Sequence, residues 1–329
     1  MIMKKLLATS LCYLLFSVTI LSAQSMKQPP FLKKGDTVAI VAPAGIIKSN
    51  RSYVFQAAEN YLKSLGLHVS VGKNVLKQGG HFAGSDEERC ADFQTALDDP
   101  SIKAIWCARG GYGSVRILDM LDYTKFKKHP KWIIGYSDIT AFHNQMNVLG
   151  YQSLHAMMCT SLESDATQIK ETKSTFEKAI FGQELTYSIP SNSHNYHGNA
   201  TGQLVGGNLS LLVSMLGSKT ALDTSGKIVF IEEIGEYKYS IDRMMQSLKR
   251  AGFFDNCKGI VFGDITRIKN NPTKFGKIIY ELLLDVVTEY NVPILFDFPA
   301  GHEPDNRALF LGRNVELKVN DQKSTLKFL

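Results

Sequence analysis

The chain has 329 residues, enough for two domains of ordinary size, and its 44% hydrophobic and 21% charged content exclude a disordered chain. Its net charge is +6, with basic residues scattered rather than interleaved with aromatics, so a nucleic-acid surface is not indicated. A mildly basic balance suits an anionic ligand and says no more than that.

Lys4 and Lys5 precede an apolar run from Leu6 to Leu21, and Leu21-Ser22-Ala23 and Ala23-Gln24-Ser25 offer small residues for cleavage. This predicts a secretory signal over residues 1–25; an uncleaved anchor is the competing reading, although the run is short for a bilayer span. Cys12 lies inside the run rather than at its end, which disfavours a lipoprotein signal. The expectation is an exported, periplasmic protein with no membrane contact after signal removal.

Asp36 to Val41 reads as a strand ending at Ala42-Pro43-Ala44-Gly45, and residues 52–65 as a helix stopped by Gly66. His68 to Val71 is a short strand. Ser85-Asp86-Glu87-Glu88 is a capping box for a helix through Leu97. Ser101 to Ala108 is a strand running into Arg109-Gly110-Gly111-Tyr112-Gly113-Ser114, and a helix follows with Val115, Leu118 and Leu121 on one face. Lys131 to Gly135 is a buried strand that turns sharply at Ser137 into a helix. Alternating strands and helices over residues 30–160 predict an α/β domain with a parallel sheet. Residues 161–196 are polar with one helix among them and read as a link. A second domain over 197–329 is expected to hold helices at 209–216, 241–251 and 274–289, strands at 228–232, 258–262 and 293–297, and a hairpin from Ala308 to Leu329.

Cys90, Cys107, Cys159 and Cys257 show no Cys-x-x-Cys spacing, and no His/Cys/Asp cluster has metal-ligand spacing, so neither a metal nor another cofactor is expected. Cys107 lies in an apolar strand and reads as a buried thiol. Export permits a disulfide, and spacing alone selects no pair.

The chemistry concentrates at strand ends, where open α/β sheets bind ligands. The corner Gly135-Tyr136-Ser137-Asp138 has the strand–turn–helix form of a nucleophile elbow, although Ser137 or Asp138 as a helix cap is the competing reading. Glu232-Glu233 end one later strand, and His302 follows another. A serine, a carboxylate and a histidine are the parts of an acyl-transfer triad. His143 and His155 rival His302 as the base. Side chains alternate along a strand, so Glu232 and Glu233 point to opposite faces. Glu236 and Asp242 read as structural partners, for example of Arg243. The Asp138 and Gly111 N–H groups are candidate oxyanion donors. The glycine loop fits neither Gly-x-Gly-x-x-Gly nor a P-loop, which argues against nucleotide phosphates.

Five motifs in register carry a resemblance from Gly35 to the C-terminus: Arg-Gly-Gly-Tyr-Gly-Ser at 109–114, Gly-Tyr-Ser-Asp-Ile-Thr at 135–140, Gly-Gly-Asn-Leu-Ser at 206–210, Glu-Glu-Ile-Gly-Glu from Glu232, and Gly-His-x-x-x-Asn from Gly301. Together they resemble the LD-carboxypeptidase family, serine peptidases that include muramoyltetrapeptide carboxypeptidase and the microcin C7 self-immunity peptidase. The resemblance implies a flavodoxin-like N-terminal domain carrying Ser137. It implies a mixed α/β, β-barrel-like C-terminal domain carrying Glu232 and His302. It further implies a homodimer without metal, acting on a peptidoglycan-derived tetrapeptide. A carboxypeptidase must hold a free carboxylate, for which Arg109 is the candidate; a structural salt bridge explains Arg109 equally well. Leu154-His155-Ala156-Met157 departs from the His-Gly-Pro that the family leads one to expect there.

Overall fold

The computed structural model describes residues 26–329; the expected signal segment lies outside them. The chain runs β1 (Thr37–Val41), α1 (Tyr53–Ser64), β2 (His68–Val71), α2 (Asp86–Asp98), β3 (Ile102–Cys107), α3 (Ser114–Leu118), α4 (Thr124–Lys128), β4 (Trp132–Gly135), α5 (Thr140–Val148), β5 (Ser153–His155) and α6 (Lys170–Ile180). It continues through β6 (Thr186–Pro190), β7 (Gly198–Asn208), α7 (Leu209–Ser214), β8 (Ile228–Ile234), α8 (Lys238–Arg250), β9 (Gly259–Thr266), α9 (Ile279–Val287), β10 (Ile294–Leu295), β11 (Leu309–Leu311), β12 (Asn314–Val319) and β13 (Lys323–Phe328).

The first sheet has the order β11-β5-β4-β3-β1-β2, with β1 to β5 mutually parallel. Its strands are apolar runs because both faces are covered: β3 and β4 are buried almost throughout. The Ser85 capping box forms as the sequence predicts, Glu88 N–H donating to Ser85 Oγ and Ser85 N–H to Glu88 Oε2. The second sheet, β10-β9-β8-β7-β12-β13-β6, is parallel from β10 to β7 and antiparallel beyond. A bridge between Tyr196 and Ile294 draws its β10 edge toward the segment after β6.

Two placements differ from the sequence reading. β11, read as part of the terminal hairpin, instead pairs antiparallel with β5 and closes the first sheet, so only β12 and β13 form the hairpin. The polar stretch 161–196 carries α6, whose Phe176 packs near Trp106 (ring centroids 5.3 Å), and β6, an edge of the second sheet. Non-local pairing and burial of one apolar face decide both.

The two sheets meet through glycines. A methyl group on Gly207 (φ +144) would lie 2.5 Å from Thr140 Oγ1, and Asn208 N–H donates to that same oxygen at 3.0 Å. Only a residue without a side chain lets β7 approach the start of α5 so closely. The Gly-Gly-Asn motif therefore places the helix after Ser137 against the strand beside Glu232, since Asn208 pairs with Glu232 across β7 and β8.

Candidate active site

β4 ends at Gly135, and Ser137 sits half-buried at φ +62, left-handed backbone that a non-glycine residue adopts at a cost of about 1–3 kcal/mol. A single 3-10 turn over Ser137–Ile139 leads into α5. Neither side chain caps that helix. Ser137 Oγ lies 3.0 Å from His302 Nε2, and Asp138 Oδ2 accepts from Ser114 N–H at 2.8 Å. His302 Nδ1 in turn lies 2.7 Å from Glu232 Oε2. The structure thus brings Ser137, His302 and Glu232 into one chain of hydrogen bonds from strand ends of both sheets.

Glu232 is fully buried, at a register shift between β8 and β9 that falls between Ile231 and Glu233. Such irregularities re-aim a side chain. Burial opposes a charge on His302, but the carboxylates of Glu232, then Glu233 and Asp264, outweigh it, so its pKa is raised. The Tyr136 ring meets the imidazole edge-on at 5.1 Å.

The rival histidines have other surroundings. His143 is buried between Ser153 Oγ and the Gly135 carbonyl, each 2.9 Å from a ring nitrogen, and burial lowers its pKa to about 4. His155 is fully enclosed, its ring 5.0 Å from Phe230, and burial holds it well below the ordinary range. Neither is hydrogen-bonded to Ser137.

The glycine loop roofs the serine. A methyl group on Gly110 would lie 3.1 Å from Ser137 Cβ and 3.4 Å from Asp138 N, so glycine keeps open the space above the Asp138 N–H. Gly110 O accepts from Gly45 N–H at 3.0 Å. In a planar trans peptide the Gly111 N–H points away from that carbonyl. Buried Arg89 anchors the loop, donating to Gly113 O at 2.9 Å and to the Pro43 carbonyl. A cavity of about 450 Å³ opens beside His302 and Tyr136, lined also by Arg109, Arg51, Arg267 and Asn306.

Arg109 is half-buried and donates to the Ile46 carbonyl; burial lowers its pKa. Among the described residues Arg109 forms no salt bridge, the second of the two explanations the sequence left open. Glu163, which acts on it electrostatically, is instead bound by Arg51 (Nε–Oε1 2.9 Å). Arg243 pairs with neither Glu236 nor Asp242; it donates to Ser240 Oγ at 3.3 Å and lies over the Tyr239 ring. Tyr239 stacks on Tyr237 at 5.5 Å just beyond β8.

Among the described residues no group of three or more His, Cys, Asp or Glu side chains could hold a metal ion, the four cysteines are unpaired, and no helix is long and apolar enough to cross a membrane. The sequence reading gave no role to Arg89, Arg51 or Asp264, and held Thr140 only as the end of the motif at 135–140. Asp264 lies near the carboxyl end of β9, a position that marks ligand sites in such sheets. Arg89 and Arg51 carry no local signal.

Sequence profiles of the LD-carboxypeptidase N-terminal and C-terminal domains match residues 38–156 and 201–317. A probable murein peptide carboxypeptidase of Bacillus subtilis is 34% identical over 304 residues, covering 91% of this chain and 94% of the relative. The crystal structure of muramoyltetrapeptide carboxypeptidase from Oxalobacter formigenes superposes with a TM-score of 0.79 at 29% identity, covering 89% of this chain and 98% of that one. An MccF-like protein from Bacillus anthracis shares the fold, with a TM-score of 0.81 at 24% identity over 92% of this chain and 99% of that one. The chain belongs to the LD-carboxypeptidase family of serine-type peptidases.

Proposed function

We propose that the protein is a peptidoglycan LD-carboxypeptidase that releases the terminal D-alanine of a stem tetrapeptide. The observation that carries this reading is the Glu232–His302–Ser137 chain of hydrogen bonds, ending on a serine at a left-handed corner. The names of its murein and muramoyltetrapeptide relatives support the peptidoglycan role.

A serine hydroxyl becomes nucleophilic when a base takes its proton. His302 Nε2 takes it as Ser137 Oγ bonds to the scissile carbonyl carbon, and Glu232 stabilises the imidazolium through Nδ1–H. The negative oxygen of the tetrahedral intermediate is held by the Asp138 and Gly111 N–H groups. On collapse the carbon–nitrogen bond breaks and His302 delivers its proton to the departing amine of D-alanine. Water, deprotonated by the same imidazole, then frees Ser137. Arg109 receives the terminal carboxylate; its guanidinium lies beside the glycine loop and, among the described residues, forms no ion pair with a carboxylate. The amino-terminal pattern supports export to the periplasm, and the family resemblance supports a homodimer.

The test uses purified protein with disaccharide tetrapeptide and pentapeptide. D-alanine should leave the tetrapeptide and a tripeptide should remain. The pentapeptide should be poor, because its last bond joins two D-centres and inversion swings a side chain into backbone space. Rapid release from pentapeptide with none from tetrapeptide would sink the assignment. Amino-terminal sequencing of the exported protein should begin near residues 24–26, and an intact Met1 would contradict export. The stacked Tyr237–Tyr239 pair favours a second reading, a peptidase of the same fold acting on a peptide joined to a nucleotide. Faster cleavage of such a conjugate than of tetrapeptide would select it.

A further inference from the structure

His302 lies on a loop between β10 and β11, with no regular element of its own to fix it. The backbone amides on either side of it are each held by a side chain. Gly301 N–H donates to Asn306 Oδ1 at 3.1 Å, and Glu303 N–H donates to Asp264 Oδ2 at 3.0 Å. Asp264 N–H also reaches Ala300 O at 2.9 Å, and a methyl group on Gly301 (φ +147) would come within 2.8 Å of Asp264 Cβ. Asn306 is anchored in turn, since its N–H donates to Thr172 Oγ1 at 2.7 Å while Thr172 Oγ–H donates to Pro304 O at 2.6 Å. Asp264 stands on β9 within the register shift that also displaces Glu232, so one strand pair supplies both the acid on Nδ1 and the acid on the loop.

We infer that Asp264 and Asn306 are positioning residues that bracket His302 and fix its imidazole between Ser137 and Glu232. The inference rests on the serine-peptidase mechanism proposed above. Asp264 does more than hold the loop, because it carries charge. Its carboxylate faces Glu232 on β8, Glu303 and His302 on the loop, and Tyr136 beyond β4. His302 is faced by Glu232, Glu233 and Asp264, and by His155 from β5. Burial first, then the neighbouring carboxylates, raise the Asp264 carboxyl to about 6. Above that pH its negative charge favours the imidazolium form of His302.

The test compares Asp264→Ala, Asp264→Asn and Asn306→Ala in the full chain. It measures kcat/KM for D-alanine release across pH and follows the His302 imidazole titration by NMR. Asp264→Ala should lose about a hundredfold, the scale of an ångström-sized misplacement of a catalytic group. Asp264→Asn keeps an acceptor for Glu303 N–H and should recover most of that loss. It also removes the charge, so the His302 midpoint should move to lower pH. Asn306→Ala should slow turnover without moving the midpoint, because no charge is lost. A merely structural aspartate would leave the midpoint unmoved in the Asn variant. An unmoved midpoint in Asp264→Asn, or wild-type kcat/KM in a folded Asp264→Ala, overturns the bracket. Fluorophosphonate labelling of Ser137 in the wild type separates the two failures. Labelling with an unmoved midpoint removes the bracket alone, whereas no labelling removes the serine mechanism beneath it.

Discussion

Glu232 and Glu233 are neighbours on β8 whose carboxylates serve opposite faces of the sheet. Glu232 meets His302 Nδ1 at 2.7 Å, whereas Glu233 accepts from Ser210 N–H (2.8 Å), Ser210 Oγ–H (2.6 Å), Ile234 N–H (2.8 Å) and Asn208 Nδ2–H (3.1 Å). The two acids should fail differently. Glu232→Gln should cut kcat by at least about a hundredfold with little change in melting temperature, because it removes the charge that supports the imidazolium. Glu233→Ala should leave buried donors unmatched and cost about 3 kcal/mol of stability, with kcat per folded molecule nearly retained. Paired denaturation and turnover measurements distinguish the two, and the reverse pattern would transfer the orienting role to Glu233.

The pH profile follows from the sign of the His302 shift. The imidazole must be neutral to take the Ser137 proton, and the surrounding carboxylates raise its pKa. The acid limb of kcat/KM should therefore lie above the ordinary histidine value of about 6.5. In Glu232→Gln it should move to lower pH. A wild-type limb well below that value would exclude His302 as the base.

The titration of buried His143 should show in the pH dependence of stability. Its pKa is about 4 when folded, lowered by burial, against about 6.5 in the unfolded chain. Between those values the unfolded chain binds the extra proton, so stability rises with pH. The contribution is fully present above about pH 6.5 and is lost as pH falls toward 4, to the order of 3 kcal/mol. Urea unfolding at about pH 7 and pH 4.5 measures it. His143→Gln should flatten that part of the dependence, and an unchanged slope would contradict the buried neutral imidazole.

Gly110 offers a steric test of the oxyanion space. In Gly110→Ala the methyl group would stand 3.1 Å from Ser137 Cβ and 3.4 Å from Asp138 N. It would occupy the volume above the Asp138 N–H, and kcat should fall by about a hundredfold, as when one oxyanion donor is lost. Gly110 is not among the positive-φ residues, so the fold should tolerate the change. Wild-type turnover in Gly110→Ala would place the oxyanion elsewhere.

Features written in contiguous residues were legible before the structure. The elbow at Ser137, the Ser85 capping box and the alternation of Glu232 and Glu233 depend on neighbours within a few positions. What depends on distant partners was not. Nothing in Leu309–Leu311 announces β5 as its partner, and the glycines of β7 read as a motif rather than as part of an eleven-residue strand. The burial of His143 and His155 likewise depends on distant partners that the residues around them do not name. Nothing in the residues around Arg109 announces that Glu163, the carboxylate acting on it, is bound by Arg51.

Ser137 is the proposed nucleophile toward the peptide bond. The direct measurement is D-alanine release from disaccharide tetrapeptide by wild type and Ser137→Ala at matched folded concentration. Wild type should convert the tetrapeptide to tripeptide, and Ser137→Ala should be slower by at least about a thousandfold with the same melting temperature within a few degrees. Release at comparable rates by a folded Ser137→Ala would contradict the account.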